Sequence, residues 1–310
     1  MNRGGPPLPD SSVSSPYTIS SMIDQILLNG IVAGSVYILA GLSFGIIFTT
    51  TGVFHFAHAA VYTMGGFGFY QMAVAWKQPF LLSLAAGILF AALVGVFIER
   101  VCYKPLDDLQ ATPVQIFLTA VGVMIVLQNI ALLIWKSEPL VVPISQDLLR
   151  GRQLGGLRIT HFQVITMATV AVLWAVLHLF MVKTKMGKAI RAFAADPKTS
   201  ELMGMNTRTM RLMVFFIGSA MIGLAAALQI MDFGMDTTTG LGVALLGFIA
   251  TLIGSGWGLT GIAITSLALG VIENIGMVVL STQWKYIILF GIIVLLLIIR
   301  PRGLFKTVTK

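Results

Sequence analysis

The fold of this chain is decided by residues 25–76, which read QILLNGIVAGSVYILAGLSFGIIFTTTGVFHFAHAAVYTMGGFGFYQMAVAW and contain no Asp, Glu, Lys or Arg. About 20 apolar residues in a helix cross the hydrocarbon core of a bilayer, because each residue rises about 1.5 Å. The stretch is therefore too long for one crossing. A polar TTTG run at 49–52 interrupts it, and this break predicts two spans, near 26–48 and 58–76.

Further charge-free stretches follow along the chain and predict more spans. They cover residues 78–98, 109–135, 159–182, 212–231, 237–272 and 286–299. The run GSGWGLTG at 254–261 splits the fifth of these stretches into two. The spans that follow are predicted near 80–98, 114–135, 161–182, 211–231, 241–253, 260–280 and 286–299. Those at 241–253 and 286–299 are short for a full crossing.

The runs are apolar on every side, whereas a strand of a membrane barrel alternates apolar and polar residues. The sequence therefore predicts an all-α fold, a polytopic transmembrane helical bundle with about eight or nine spans, two of them short or broken. Residues 1–21 are rich in Pro, Ser and Gly, which predicts a disordered N-terminal tail. Residues 22–306 are expected to form one transmembrane domain.

Composition agrees with a membrane protein. Hydrophobic residues make up 57% of the 310 residues and charged residues only 10%, against about 25% charged residues in a soluble domain. The mean hydropathy is +0.92. These values exclude a soluble enzyme and a disordered chain. Nucleic-acid binding is excluded as well, because the charges behind the net +8 cluster between apolar runs. The single cysteine, Cys102, rules out a disulfide framework.

Lysine and arginine predict the orientation, because cytoplasmic loops of membrane proteins carry most of these residues. Segment 183–211 and the C-terminus from residue 300 onward are both rich in them, so both are expected to face the cytoplasm. The same count places 99–113 inside, and it places the N-terminus and loop 136–160 outside. The external loop fits the rule least well, because it holds three arginines: Arg150, Arg152 and Arg158.

The basic island at 186–211 reads MGKAIRAFAADPKTSELMGMNTRTMR and carries the signals of a short helix. Asp196 is an N-cap residue followed by proline at the first helical position, and Gly204 suits a left-handed helix stop. These residues predict a two-turn helix near 197–203, and Asn206 is placed to cap the next element. Two interpretations are open on these residues alone, an ordinary basic loop or a rigid docking helix for a cytoplasmic partner.

The island resembles the coupling-loop signature of ATP-binding-cassette (ABC) importer permeases, specifically of the family that moves branched-chain amino acids. Other segments resemble that family in the same order along 22–306. They are NGIVAGSVY at 29–37, GVFHFAHAAVYTMGG at 52–66, ERVCYKPL at 99–106, LIGSGWGLTGIAITSLALGVIEN at 252–274 and RPRGLF at 300–305. The chain departs from the family at His55, Ala59 and Ala60, where Asn, Gly and Glu are typical. A solute other than leucine, isoleucine or valine therefore stays open.

The resemblance implies a transmembrane permease subunit that works by alternating access, driven by separate ATPase subunits. It implies a homologous permease as the partner in a heterodimer, two ATPase subunits and an extracytoplasmic solute-binding protein, all at the bacterial plasma (inner) membrane. The cytoplasmic coupling segment is expected at 183–210. The residues expected to couple to the ATPases are Arg191, Asp196, Pro197, Glu201, Gly204 and Asn206. The implied solutes are branched-chain or other hydrophobic amino acids, or a related small solute such as urea, an amide or a small carboxylate.

The chain carries no GxxxxGK[ST] phosphate loop, the motif with which many ATPases hold phosphate. ATP and Mg are therefore expected on the partner ATPases, with no cofactor on this chain and no enzymatic activity of its own. Membrane lipid is the expected surrounding, with no nucleic acid. The alternative is an ATP-independent channel or secondary carrier for a small polar solute.

Polar residues within the predicted spans are candidates for the solute pathway: Asn29, Tyr37, His55, His58 and Glu273. Asn and Tyr suit the amino and carboxyl groups of a zwitterion. Glu273 lies deep inside a span, where a charge facing lipid costs at least about 2.5 kcal/mol, so we expect it to face the bundle interior in a structural contact or a gate. The two histidines are open to a hydrogen-bonded structural role or to pathway lining. A metal site there is disfavoured because no third ligand is near.

Two further patterns carry expectations about packing and loops. Small residues recur at four-residue spacing in the pairs Gly30 with Gly34 and Gly41 with Gly45, which predicts closely packed helices. The two acids on either side of 233–235, Asp232 and Asp236, are expected in a solvated external loop.

Overall fold

The computed structural model describes residues 19–154, 157–279 and 291, and it is a bundle of helices. In chain order, the α-helices are α1 (Ile19–Thr51), α2 (His58–Tyr70), α3 (Phe80–Ile98), α4 (Lys104–Asp108), α5 (Pro113–Trp135), α6 (Gln146–Leu149), α7 (His161–Lys183), α8 (Lys185–Ala195), α9 (Pro197–Leu202), α10 (Thr207–Asp232), α11 (Thr239–Gly254) and α12 (Gly258–Val279).

Other elements extend or join these helices. A π-helical segment at Gln71–Ala75 continues α2, and a second one at Glu99–Tyr103 joins α3 to α4. A 3-10 turn at Ser255–Trp257 separates α11 from α12, so the break predicted at 254–261 is confirmed. Strand β1 (Gly151–Leu154) pairs antiparallel with β2 (Leu157–Thr160).

Six helical stretches of the described chain are long and apolar enough to cross a membrane: Met22–Thr51, Phe80–Asp108, Pro113–Trp135, His161–Lys183, Thr207–Asp232 and Thr239–Met277. The predicted all-helical membrane fold is confirmed, but the predicted count of eight or nine spans is not. The span predicted at 58–76 is helix α2 of only 13 residues with its π-helical continuation. The span predicted at 241–253 is helix α11 of 16 residues.

Several predictions lie largely outside the described residues. These are the span at 286–299, the basic C-terminus from residue 300 onward and most of the disordered tail at 1–21.

The β-hairpin is a feature that the sequence analysis did not predict. It lies in loop 136–160, outside the apolar runs, and is tied to the start of α1 by Gln25. The Oε1 atom of Gln25 accepts the backbone N–H of Arg158 at 2.8 Å, and its Nε2 donates to the Arg158 carbonyl at 3.0 Å. Loop 136–160 therefore lies at the same end of the bundle as the beginning of α1.

Helices α1 and α12 pack along each other in opposite directions. Gly30 and Gly34 of α1 lie against Val271 and Leu267, respectively, and further along α1 both Gly41 and Gly45 lie against Ile262. The close packing predicted from the glycine spacing is confirmed. It keeps the middle of α1 in the core, where every residue from Leu39 to Ile47 is buried.

Helices α2 and α11 both begin inside the bundle. The first residue of α2, His58, bonds to Ser43, about two turns before the end of α1, so residues 52–57 return into the bundle from the end of α1. Gly240 at the start of α11 packs against the carbonyl of Ala59 near the start of α2. Surrounding protein makes such non-helical backbone tolerable at this depth. The two short helices therefore start next to each other in the interior.

Candidate functional site

The first candidate site is a cavity of about 390 Å³ between four helices, here called the carboxylate cavity. Its lining residues on α1, α7, α10 and α12, with Phe233 just after α10, are Asn29, Val32, Ala33, Val36, Tyr37, Gln163, Gln229, Asp232, Phe233, Glu273, Asn274 and Met277. One part of this lining is apolar, and the rest carries carboxylate, amide and phenol groups. Such a mixture is typical of sites for small molecules.

Three of the five predicted pathway residues, Asn29, Tyr37 and Glu273, come together in this cavity. Glu273 is only 5% exposed, as expected for an acid within a span. The sequence analysis missed Asp232, which was expected in a solvated loop but is the last residue of α10 and half-buried in the lining. It also missed Gln163 and Gln229. Each of these three polar residues lies at the end of an apolar run. This position is the sequence signal that could have identified them as lining residues.

Asp236, the second acid expected in a solvated loop, lies in the loop between α10 and α11, where it is half-buried and bonds to the start of α11. Its Oδ1 atom accepts the backbone N–H groups of Thr238 and Thr239, each at 2.8 Å. Four orphan N–H groups begin every α-helix, and side-chain oxygens satisfy them. Asp236 therefore fixes the point at which α11 starts inside the bundle.

The two predicted histidines lie in a separate buried cluster and do not line the carboxylate cavity. His58 Nε2 is 2.9 Å from Ser43 Oγ, and His55 Nδ1 is 2.8 Å from the hydroxyl of Tyr103. Both imidazoles are fully buried, with ring centroids 5.0 Å apart. The structure thus shows the hydrogen-bonded packing that was one of the two interpretations, and a role in the pathway stays a prediction.

A metal-binding role for these histidines gains no support from their surroundings. Within residues 22–277 as the structure describes them, no three His, Cys, Asp or Glu side chains are placed to hold a metal ion together.

The second candidate site is the segment that joins α7 to α10. The Oδ1 atom of Asp196 accepts the backbone N–H of Thr199 at 3.1 Å, and its Oδ2 accepts the Thr199 hydroxyl at 2.5 Å. These bonds lower the pKa of the Asp196 carboxyl below its usual value. Pro197 opens α9, and Gly204 follows the helix with a φ of +81°. The predicted short helix is confirmed, with its end at Leu202.

The other predicted coupling residues surround α9. Asn206 caps α10, since its Oδ1 accepts the backbone N–H of Thr209 at 3.0 Å. Glu201 is exposed on α9 and Arg191 on α8. Helix α8 was not predicted, and it is amphipathic, with Ile190 and Phe193 buried against the bundle.

The end of α9 presents two large apolar side chains to the outside. Leu202 is 87% exposed and Met203 is 78% exposed. Capping at Asp196 and at Gly204 makes this short element rigid, because both ends of the helix are fixed. A rigid tip with exposed apolar side chains is suited to docking onto another surface.

A second cavity, of about 860 Å³, lies behind this tip and is here called the α9 cavity. Its lining residues are Phe48, Thr49, Thr50, Thr51, Gly52, Asp107, Phe193, Ala194, Ala195, Pro197, Lys198, Glu201, Thr207 and Arg211. Helices α1 and α10 thus contribute to both cavities, at opposite ends of their length. The buried stretch from Leu39 to Ile47 separates the two along α1.

An ion-pair network beside the α9 cavity was also missed by the sequence analysis. Arg211 Nε donates to Glu99 Oε1 at 2.7 Å, and a second nitrogen of Arg211 donates to Asp107 Oδ2 at 2.8 Å. The π-helical segment presents Glu99 to α10 and Tyr103 to His55. The network therefore ties α3 and α4 to the start of α10. No local sequence signal reveals it, because its partners lie about a hundred positions apart.

Several known proteins are similar to this chain. A family profile described as "Branched-chain amino acid transport system / permease component" matches residues 26–297. The high-affinity branched-chain amino acid transport system permease protein BraD of Pseudomonas aeruginosa is 29% identical over 90% of this chain and 94% of its own length. The corresponding protein LivH of Escherichia coli (strain K12) is also 29% identical, over the same shares.

A solved structure shares the fold. It is PsaBC from Streptococcus pneumoniae in complex with Fab, which matches with a TM-score of 0.51 over 90% of this chain and 95% of its own. The sequence identity is 14%, so this likeness is one of fold alone.

Proposed function

The chain belongs to the family of branched-chain amino acid transport permeases, and we propose that it is the membrane-spanning subunit of an ABC importer. With six apolar helical stretches in the part of the chain that the structure describes, it is a multi-pass membrane protein. The observation that carries the proposal is the rigid tip of α9. It is capped at Asp196, stopped at Gly204 and exposes Leu202 and Met203 to a partner.

The proposed partners are two ATPase subunits, which bind ATP and Mg, a homologous permease and an extracytoplasmic solute-binding protein. The α9 end of the bundle faces the cytoplasm, where the ATPases are, since it carries the basic segment 183–211. The membrane is the bacterial plasma (inner) membrane, with the C-terminus on the cytoplasmic side. The proposed solutes are branched-chain or other hydrophobic amino acids.

The proposed mechanism is alternating access between the two cavities. Both are lined by α1 and α10, so a tilt of these helices widens one cavity as it narrows the other. ATP-driven closure of the ATPase dimer moves α9, and α9 transmits the motion to α10 through the short link at 203–206. The carboxylate cavity then opens outward to receive solute, and hydrolysis resets the bundle.

The test is to replace the exposed tip in the complex assembled with its ATPases and binding protein. Leu202→Ser combined with Met203→Ser removes the apolar contact, and we expect solute-stimulated ATP hydrolysis and uptake to fall by roughly tenfold or more, as at apolar hot spots of interfaces. Leu109→Ser is the matched control, because Leu109 is 79% exposed just after α4 but lies outside α9.

Two results would contradict the proposal. One is coupled uptake that is unchanged by the double substitution in a folded complex. The other is solute transport by the isolated chain in liposomes without ATPases, which an ATP-independent channel or carrier would show.

A further inference from the structure

We propose that a hollow beside the adjoining ends of α3 and α10 binds the headgroup of an anionic phospholipid that carries a hydroxyl group. The hollow is here called the headgroup hollow, and its lining residues are Glu99, Arg100, Lys104, Arg208, Arg211 and Leu212. This inference goes beyond the proposed function, because it requires only that the bundle lies in a lipid bilayer.

The headgroup hollow lies at the edge of the apolar part of two membrane spans, those that contain α3 and α10. The charge-free run 78–98 ends directly before Glu99, and the run 212–231 begins directly after Arg211. Four of the six lining residues are basic, so positive side chains cluster at the level at which the hydrocarbon core meets the headgroups. Basic pockets between membrane-spanning helices are typical binding sites for anionic lipid headgroups.

Two of the four basic side chains are not neutralised by the protein. Arg211 is held by the ion-pair network described above, and Lys104 pairs with Asp108 one turn further on. Arg100 and Arg208 are both exposed, and neither forms an ion pair with a carboxylate of the described chain. Phosphate oxygens accept paired N–H bonds from the arginine side chain. An anionic phosphate is therefore the group that complements these two arginines.

Glu99 indicates a second polar contact with the headgroup. Its side chain is 2% exposed, and its Oε1 atom accepts from Arg211. Its Oε2 atom is buried and has no hydrogen-bond partner among the described residues, although buried polar atoms are nearly always paired. The headgroup hollow has a volume of about 10 Å³, which is close to the space that one water-sized group needs. A hydroxyl group of a lipid headgroup fits this space and is able to donate to Glu99 Oε2, while the phosphate stays outside with the arginines.

Apolar side chains continue from each arginine along the outside of the bundle. On α3, Phe97 and Leu93 precede Arg100 by three and seven positions, and both are exposed. On α10, Phe216 follows Arg208 by eight positions and is exposed as well. Positions at these spacings share one side of a helix. The two arginines are thus placed at the ends of apolar surfaces along which acyl chains are able to lie.

The charge of the lipid is tested by native mass spectrometry of the full-length chain in detergent, with one phospholipid added at a time. Phosphatidylglycerol is expected to bind roughly tenfold more tightly than phosphatidylethanolamine, which has the same phosphate but an added positive charge. Arg100→Gln combined with Arg208→Gln is expected to lower the affinity for phosphatidylglycerol roughly tenfold or more, because each basic residue near an anionic surface contributes about fivefold.

The matched control is Lys185→Gln combined with Lys188→Gln, which removes the same charge from exposed positions of α8 outside the headgroup hollow. This variant is expected to bind phosphatidylglycerol as the wild type does. Both double variants are expected to unfold at the wild-type temperature without added lipid, because all four side chains are exposed. Equal affinity of the wild type for the two lipids, or an equal loss in both double variants, would overturn the proposal.

The hydroxyl contact is tested with phosphatidylethanol, an anionic phosphodiester lipid whose headgroup has no hydroxyl. We expect the wild type to bind it several-fold more weakly than phosphatidylglycerol. This comparison needs no substitution at Glu99, whose loss would break the buried pair with Arg211. Equal binding of the two lipids would refute the contact with Glu99 Oε2 and with it the proposed class of headgroup.

A lipid is distinguished from a soluble phosphate compound by competition. Glycerol 1-phosphate has the phosphate and the hydroxyl groups but no acyl chains, and at millimolar concentration it is expected to leave phosphatidylglycerol bound. Displacement at that concentration would show that the apolar surfaces contribute nothing and would overturn the assignment to a lipid.

A protein partner is the competing occupant of this face, and the assembled complex distinguishes the two. We expect the complex to retain one phosphatidylglycerol that is lost in the variant with Arg100→Gln and Arg208→Gln. Release of that lipid when the wild-type complex assembles would assign the two arginines to a protein contact and overturn the proposal.

Discussion

Gly270 lies where α12 comes closest to α1. A Cβ atom added at Gly270 would overlap the backbone of Gly34, and one added at Gly34 would meet the Leu267 carbonyl at 2.8 Å. Neither helix is able to yield easily, since α1 is buried on several sides. We expect Gly270→Ala to lower the free energy of unfolding by about 1–3 kcal/mol through overpacking, measured as a lower midpoint of thermal unfolding in detergent.

The control for that substitution is Gly122→Ala on α5. Gly122 is exposed, and a Cβ atom added there would have no neighbouring atom within 4 Å. Alanine is favoured over glycine in a helix by up to about 1 kcal/mol, so this variant is expected to be neutral or slightly more stable. A loss of stability as large as that of Gly270→Ala would show that helix contact is not the cause.

Some contacts of individual residues could not be predicted from the sequence. The spacing of Gly30 and Gly34 predicts a close helix partner, but it does not identify α12 as that partner. The pairing of His55 with Tyr103 was likewise hidden, because the two residues are brought together by the return of the chain at 52–57. Asp232 was placed in solvent because a carboxylate at the end of a span is usually solvated.

The N-cap residue Asp196 stabilises helix α9, and we expect the coupling of ATP hydrolysis to transport to require this cap. Asp196→Ala removes the acceptor of the Thr199 N–H, so we expect several-fold lower solute-stimulated ATP hydrolysis in the assembled complex. Asp196→Asn is the matched variant, because asparagine caps helices as well as aspartate does. Equal loss in both variants would point to the charge rather than to the cap.

The same cap has a defined dependence on pH. The bonds from Thr199 lower the pKa of Asp196, so the stabilisation from the ionised carboxyl is present above the usual aspartate pKa of about 3.9. It is lost only as the pH falls through the lowered value. Wild-type and Asp196→Asn complexes are therefore expected to show the same pH profile of coupled hydrolysis near neutrality, and a difference there would contradict this assignment.

The network in which Arg211 of α10 pairs with Glu99 and Asp107 allows a buried and an exposed ion pair to be compared. The side chain of Glu99 is 2% exposed and that of Asp107 is 50% exposed, and both bond Arg211. Removing one partner of a buried pair costs about 3–5 kcal/mol, whereas exposed pairs contribute about 1 kcal/mol or less. Glu99→Ala is therefore expected to destabilise the chain far more than Asp107→Ala in chemical unfolding, and equal effects would refute the buried role of Glu99.

Elements differ in how far the sequence reveals them. Helix α9 was predicted because its caps are local signals within ten residues. The long helices were predicted from gaps between charges, which require no knowledge of neighbours. The π-helical segment at 99–103 was not predicted, since it changes the hydrogen-bond spacing without changing the apolar pattern. The hairpin at 151–160 was missed because its strands are only four residues long.

The two cavities at opposite ends of α1 predict opposite sidedness for two cysteines. Ala33→Cys lines the carboxylate cavity and Thr49→Cys lines the α9 cavity. In cells with Cys102→Ser as background, an impermeant thiol reagent is expected to label Ala33→Cys from outside. Thr49→Cys is expected to react only in inverted vesicles. Labelling of both from the same side would contradict the proposed orientation.

The interior starts of α2 and α11 have a consequence for biogenesis. With 13 residues, α2 alone is shorter than the roughly 20 residues that cross the hydrocarbon core, and its five π-helical residues bring it only to the lower end of the usual range. The 16 residues of α11 are also few for a crossing before the chain turns at Ser255–Trp257. Gly65 of α2 packs against Gly223 of α10, which the ribosome makes some hundred and fifty residues later. The nascent chain must therefore hold α2 against α1 and α3, shielded from lipid, until α10 is synthesised. We therefore expect α2 to reach its final packing only after α10 has been synthesised and inserted.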